Sequence, residues 1–224
     1  MDAVTATGII RDARRAVEEG GGLGGTGFWM LVDAIKKDPS MDRFADDVAT
    51  IDQKAFRNWA LLTVPLALGT SLMVLGTVVG LVLVGLAYEI EGAWGGIWLL
   101  VGTGVLLVTT HGLAHLVVGQ AVGIKFTAWF IGRITQPQPG VKTDYSSYLR
   151  TPARSRAWMH AAGAIVTKSI PFLMIGAALA AGVQAWATWG LVAMGVAALA
   201  TDVFWSTKAS DWKKFRREMS FAQE

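Results

Sequence analysis

The stretch WALLTVPLALGTSLMVLGTVVGLVLVGLAY, Trp59 to Tyr88, carries no ionisable side chain except its terminal tyrosine. About 20 helical residues cross a hydrocarbon core of about 30 Å, so a run of this length predicts a transmembrane helix, which Pro65 is expected to bend or tilt. Working outward, a second span is expected from about Trp94 to Gly123, a third from Ala157 to Ala181 and a fourth to Trp205. Between Ala157 and Trp205 only His160, Lys168 and Asp202 interrupt the apolar run. The composition agrees, with 53 % hydrophobic and only 17 % charged residues in a chain of 224. The expected fold class is therefore an all-α polytopic membrane protein with four transmembrane helices.

The connections divide by charge. The loop from Ile124 to Arg156 holds Lys125, Arg133, Lys142, Arg150, Arg154 and Arg156 against Asp144 alone, and the tail holds Lys208, Lys213, Lys214, Arg216 and Arg217. Glu89-Ile90-Glu91-Gly92 and the turn at Gly182-Val183-Gln184 hold no Lys or Arg. Cytoplasmic loops are the basic ones, so four spans put both termini and the long loop in the cytoplasm. Trp94, Trp98, Trp186 and Trp189 then form an outer aromatic belt, and Trp59, Trp158, Trp205 and Trp212 an inner one. The start of the long loop, Ile124 to Ile131, has a β-like composition, and Gln136-Pro137-Gln138-Pro139-Gly140 turns the chain. A small strand or hairpin is expected in this cytoplasmic loop.

Three domains follow: a cytoplasmic amphipathic helical headpiece, 1–58; a four-helix transmembrane domain, 59–205; and a basic cytoplasmic tail, 206–224. Helices are expected over Asp2–Glu19, Gly27–Lys37 and Met41–Arg57, with Ser40 or Asp42 capping the last. Phe28, Trp29, Leu31, Val32 and Ile35 are expected in the membrane interface. Gly20-Gly21-Gly22-Leu23-Gly24-Gly25 lacks the Gly-Lys-Ser/Thr of a phosphate loop and reads as a hinge. The absence of cysteine excludes disulfides and thiolate metal sites. The basic tail beside a span reads as a topology anchor on anionic lipid rather than a nucleic-acid patch.

Ionisable residues inside a bilayer are costly and mark function. The chain has three histidines, and all fall at the inner ends of spans. His111 and His115 are spaced i, i+4 and share a helix face. His160 begins the third span, and Asp202 ends the fourth. Imidazoles one turn apart with a carboxylate from another helix suit a transition metal such as zinc. The other reading is that the histidines hydrogen-bond to neighbouring helices and that Lys168 pairs with Asp202.

His111-Gly-Leu-Ala-His115-Leu-Val-Val-Gly-Gln-Ala-Val-Gly-Ile-Lys125 resembles the active-site helix of the site-2 protease family of intramembrane zinc metalloproteases. Tyr148-Leu-Arg-Thr-Pro-Ala-Arg-Ser-Arg-Ala157 and Ala161-Ala-Gly163 resemble that family's loop into its Ala-Gly-Pro helix. The resemblance covers about residues 95–205 and implies zinc held by His111, His115 and Asp202. His160, by its depth, adds a fourth ligand or a substitute proton acceptor. The family's catalytic Glu follows the first His; here that position is Gly112, which cannot take the proton of metal-bound water. The family's Pro is Ala164, its Asn is Thr167, and no Gly follows Asp202. His160 and Asp144 are the substitutes for the missing base. The resemblance thus implies an intramembrane metalloprotease or, with Gly112, a catalytically impaired homologue. Its membrane is expected to be the inner or plasma membrane of a bacterium or archaeon, and its partner a transmembrane peptide. Two other functions fit the residues: a non-enzymatic membrane scaffold or regulator holding a partner's transmembrane helix, and a carrier of metal or haem on His111, His115 and His160.

Overall fold

The computed structural model describes residues 1–133, 139–204 and 210–223, the side chains of 202–204 excepted. In chain order the helices are α1 (Ala3–Glu18), α2 (Phe28–Lys37), α3 (Ala45–Trp59), α4 (Leu66–Leu86), α5 (Ala93–Ala121), α6 (Tyr145–Arg150), α7 (Ala153–Ala180), α8 (Ala185–Phe204) and α9 (Asp211–Phe221). The strands are β1 (Leu62–Pro65), β2 (Phe126–Ile131) and β3 (Pro139–Thr143). The chain divides into two compact units. One is polar and comprises the residues up to Leu66, Gly119–Arg156 and the chain from Arg217; the other comprises Ala67–Val118 and Ala157–Arg216.

In the polar unit, α1 buries Ala6, Ile9, Ile10, Ala13 and Val17, a stripe at helical spacing. The Asp2 side chain caps its start by accepting from Thr5 N at 2.8 Å. Its end closes where Gly20, at φ +78°, lets Gly20 N reach Val17 O at 3.2 Å and Gly21 N reach Ala16 O at 2.8 Å. Four of the residues expected in the membrane interface, Phe28, Leu31, Val32 and Ile35, are instead buried in this unit, and Trp29 is the exposed one. They form the inner face of α2, and protein rather than lipid covers it. Nor does Ser40 or Asp42 cap α3. Asp38 accepts from Ser40 N at 2.9 Å and caps a 3-10 turn, Pro39–Phe44, that precedes it.

The expected hairpin is a three-stranded antiparallel sheet in the order β1-β2-β3. The extra strand comes from what the sequence offered as the start of the first span. Leu62 pairs with Ile131, and Pro65 with Ala128. Pro65 ends a strand rather than bending a helix, and the helix starts at Leu66. Gln136 to Gln138, expected in the turn, lie outside the described residues; Pro139 and Gly140 belong to β3. Lys142 on β3 reaches the largely buried Asp52 and lies 5.0 Å from the Phe56 ring. Burial pushes the Asp52 carboxyl up, against the pull of Lys142.

In the other unit, α4, α5 and α7 are long and apolar enough to cross a membrane; the apolar stretch of α8, Ala185–Thr201, is shorter. Leu72, Val74, Leu75, Val78, Val79 and Leu81 of α4 are all exposed. At 100° per residue these six cover the outward half of the helix, and an outward half made of Leu and Val is that of a helix whose solvent is lipid rather than water. Val84, Ala87, Leu99, Leu106, Ala178 and Leu191 form the small core shared by the four helices. Glycines draw α4 and α5 close. A Cβ on Gly102 would meet Gly80 O at 2.8 Å and Val84 N at 2.9 Å, and one on Gly80 would meet Gly102 O at 3.2 Å. Close backbone approach of this kind is how helices associate where no hydrophobic effect drives them together.

Candidate metal centre

The i, i+4 spacing puts His111 and His115 on one face of α5, with ring centroids 4.8 Å apart and planes nearly perpendicular. Their Nε2 atoms converge on a single carboxylate oxygen. Asp211 Oδ2 lies 3.2 Å from His111 Nε2 and 3.1 Å from His115 Nε2. Asp211 opens α9. Its other oxygen, Oδ1, is 3.2 Å from Lys214 Nζ, one turn along the same helix. The Asp211 side chain is 16 % exposed, that of His115 12 % and that of His111 35 %, so the site is sheltered on one side and open beside His111. Burial alone would raise the Asp211 carboxyl, but the two imidazoles and Lys214 hold it well below the usual carboxylate range. It is therefore an anion.

The opposite edges of the rings fix where their protons are. His115 Nδ1 lies 2.7 Å from the Met159 carbonyl, which can only accept. His111 Nδ1 lies 2.8 Å from Thr167 Oγ1. The Thr167 hydroxyl donates its own proton to the Gly163 carbonyl at 2.9 Å, so it too must accept from the ring. Both imidazoles thus carry hydrogen at Nδ1; a protonated ring also donates from Nε2 to Asp211 Oδ2, which is how the rings lower that carboxyl, and a neutral ring turns a lone pair at Nε2 toward the same oxygen. With both rings neutral, three electron-rich atoms face one another, and a cation between them satisfies all three; without one, protonated rings satisfy the carboxylate. The two nitrogen–oxygen separations suit a cation. Zinc bonds of about 2.0–2.2 Å in a tetrahedron put neighbouring ligand atoms roughly 3.3 Å apart. His111, His115 and Asp211 could hold a metal ion.

Helix α7 makes room for the rings. Gly163 faces them, and a Cβ there would collide with His115 Nε2, with His115 Cε1 at 2.7 Å and His111 Cε1 at 2.9 Å. His160, one helical turn before Gly163, has its ring centroid 6.5 Å from that of His115. Lys168 Nζ donates to the Ala164 carbonyl at 3.4 Å. The Asp202 side chain lies outside the described residues. Asp144, a sequence candidate for the missing base, caps α6 by accepting from Ser147 N at 2.9 Å.

Two residues of the centre escaped the sequence. Asp211 stands in a tail that reads as a membrane anchor, 96 residues from His115. Its one local signal is that it heads an amphipathic segment, where a carboxylate favours helix initiation. Thr167 drew notice only as a departure from Asn, yet it orients His111. Compared with family models, with curated proteins and with solved structures, the chain matches none.

Proposed function

We propose that this protein is a membrane-embedded metalloprotein that holds a divalent transition cation, zinc, on His111, His115 and Asp211. The observation that carries the proposal is the pair of Nδ1-committed imidazoles aiming both Nε2 atoms at one oxygen of a half-buried carboxylate. Two nitrogens and one oxygen suit zinc, and three protein ligands leave a fourth position open for water or a ligand. The all-round apolar helices support a membrane location, and the basic loops support four spans with cytoplasmic ends. The resemblance to site-2 proteases supports the same reading with one change: Asp211 supplies the carboxylate expected from Asp202. With Gly112 in place of the catalytic Glu, the protein is proposed to bind metal as a catalytically impaired homologue rather than to cleave peptides.

Metal analysis of detergent-purified protein, after chelation and reloading with zinc, tests this. The wild type is expected to retain one zinc per chain and the His111→Ala/His115→Ala double variant none. Equal metal in both would refute the centre and favour a non-enzymatic scaffold. The proton on His111 Nδ1 gives a finer check. Thr167→Val keeps the side-chain shape but removes the acceptor. It is expected to weaken zinc binding about 10–100-fold, the usual cost of losing an orienting partner, in a competition titration against a chromogenic chelator.

A further inference from the structure

Within the polar unit, two buried cations share one carboxylate. Glu218 Oε1 accepts from Lys36 Nζ at 2.5 Å and Oε2 from Arg156 Nε at 2.7 Å; the three side chains are 0 %, 2 % and 3 % exposed. Arg156 Nη1 donates to the carbonyls of Thr151 and Leu149 at 2.6 and 3.3 Å. Arg156 Nη2 is buried and has no hydrogen-bond partner among the described residues. Two positive charges against one negative leave a surplus of +1 where water is scarce, and a surplus of that kind calls for an anion.

A depression of about 420 Å³ adjoins this triad. Lys36, Arg150, Arg154 and Arg156 line it, with Asp42 as its one acidic residue. Asp46 outside it takes Arg150, at 2.8 Å. Counting Asp46, Asp42 and Glu218 against the four cations still leaves one positive charge. The start of α7, Ala153 and Arg154, also lines the depression. First-turn N–H groups have no acceptor within their own helix and point at whatever lies before it. Pro152, at the capping position, has no side-chain oxygen to offer them, and the Thr151 hydroxyl before it donates to the Ser147 carbonyl at 2.9 Å. Helix N–H groups, an exposed arginine and a buried unpartnered guanidinium nitrogen all favour one chemistry, a phosphoryl anion.

We propose that this depression binds a phosphate group, held by Arg154 and the first turn of α7 over the surplus charge of Lys36 and Arg156. The phosphate is either that of an anionic lipid headgroup or a soluble one. The site is independent of the metal centre.

The test uses full-length protein in nanodiscs. In phosphatidylcholine discs the protein is titrated with inorganic phosphate at constant ionic strength. In discs doped with phosphatidic acid, co-retained lipid is counted by native mass spectrometry. The variants are Arg154→Gln and, as a control, Lys54→Gln, an exposed lysine beside Glu18. Saturable phosphate binding that weakens roughly tenfold in Arg154→Gln, the effect of one charged hydrogen bond, and is unchanged in Lys54→Gln supports a soluble ligand. Phosphatidic acid retained by the wild type and by Lys54→Gln but lost from Arg154→Gln supports a headgroup. Absence of both, binding that Arg154→Gln leaves unchanged, or equal loss in the two variants overturns the proposal.

Discussion

The Gly163→Ala variant is expected to lose its zinc while keeping its helices. The added Cβ would press on His115 Nε2 and on Cε1 of both rings. A side chain tip can often swing aside, but these rings are pinned at Nδ1 by Thr167 and by the Met159 carbonyl. Moving either ring breaks its Nδ1 hydrogen bond and withdraws a ligand nitrogen. The helix itself gains, because alanine is better than glycine in a helix interior by about 1 kcal/mol. Loss of metal with undiminished helical circular dichroism is therefore the expected pair of results. Gly176→Ala, on the same helix with open space around its Cβ, is the control and should bind zinc as the wild type does. If Gly163→Ala retains full zinc, the two imidazoles do not form the centre in this arrangement.

Glu218→Ala is expected to loosen the polar unit by about 3–5 kcal/mol, the cost of leaving buried charge without its partner. Both Lys36 and Arg156 lose their counter-ion at once. Hydrogen exchange at the amides of α2 reads this directly, since Lys36 lies in that helix, and it needs no global unfolding of a membrane protein. Exchange there no faster than in the wild type would show that the triad contributes nothing. The same carboxylate predicts a pH dependence. Burial pushes the Glu218 carboxyl up, but Lys36 and Arg156 outweigh it and hold the group below its ordinary 4.5. A depressed carboxyl stabilises the fold above the unfolded value and ceases to do so as pH falls through the folded one. Protection of α2 should thus decline as pH falls below about 4.5, a decline that Glu218→Gln should lack.

What the sequence could and could not announce follows the range of the forces involved. The apolar helices were legible because lipid solvation writes itself into every residue of α4, and no partner is needed to interpret it. His111 and His115 were legible because one helical turn is a local distance. Strand β1 was not. Leu61 to Leu68 carries no charge and only one polar side chain, Thr63, and nothing in it distinguishes residues paired to β2 from residues facing lipid. The inner face of α2 was misread for a related reason: Phe28, Leu31, Val32 and Ile35 form a stripe that either a membrane interface or a protein core would bury. Asp211 is the extreme case, since a ligand drawn from a distant helix leaves no spacing to recognise.

The contact between Gly80 and Gly102 is governed by main-chain oxygen, which no rotamer change can move. Bulk introduced there can be relieved only by prying α4 and α5 apart. His111 follows Gly102 by nine positions (111 − 102 = 9) on the same helix, about 14 Å along the axis at 1.5 Å per residue. Helix α5 then acts as a lever arm: a wedge one methyl wide at its middle becomes a lateral sweep of the imidazoles at its far end. Two residues that carry no functional group thereby set the bite of the ligands.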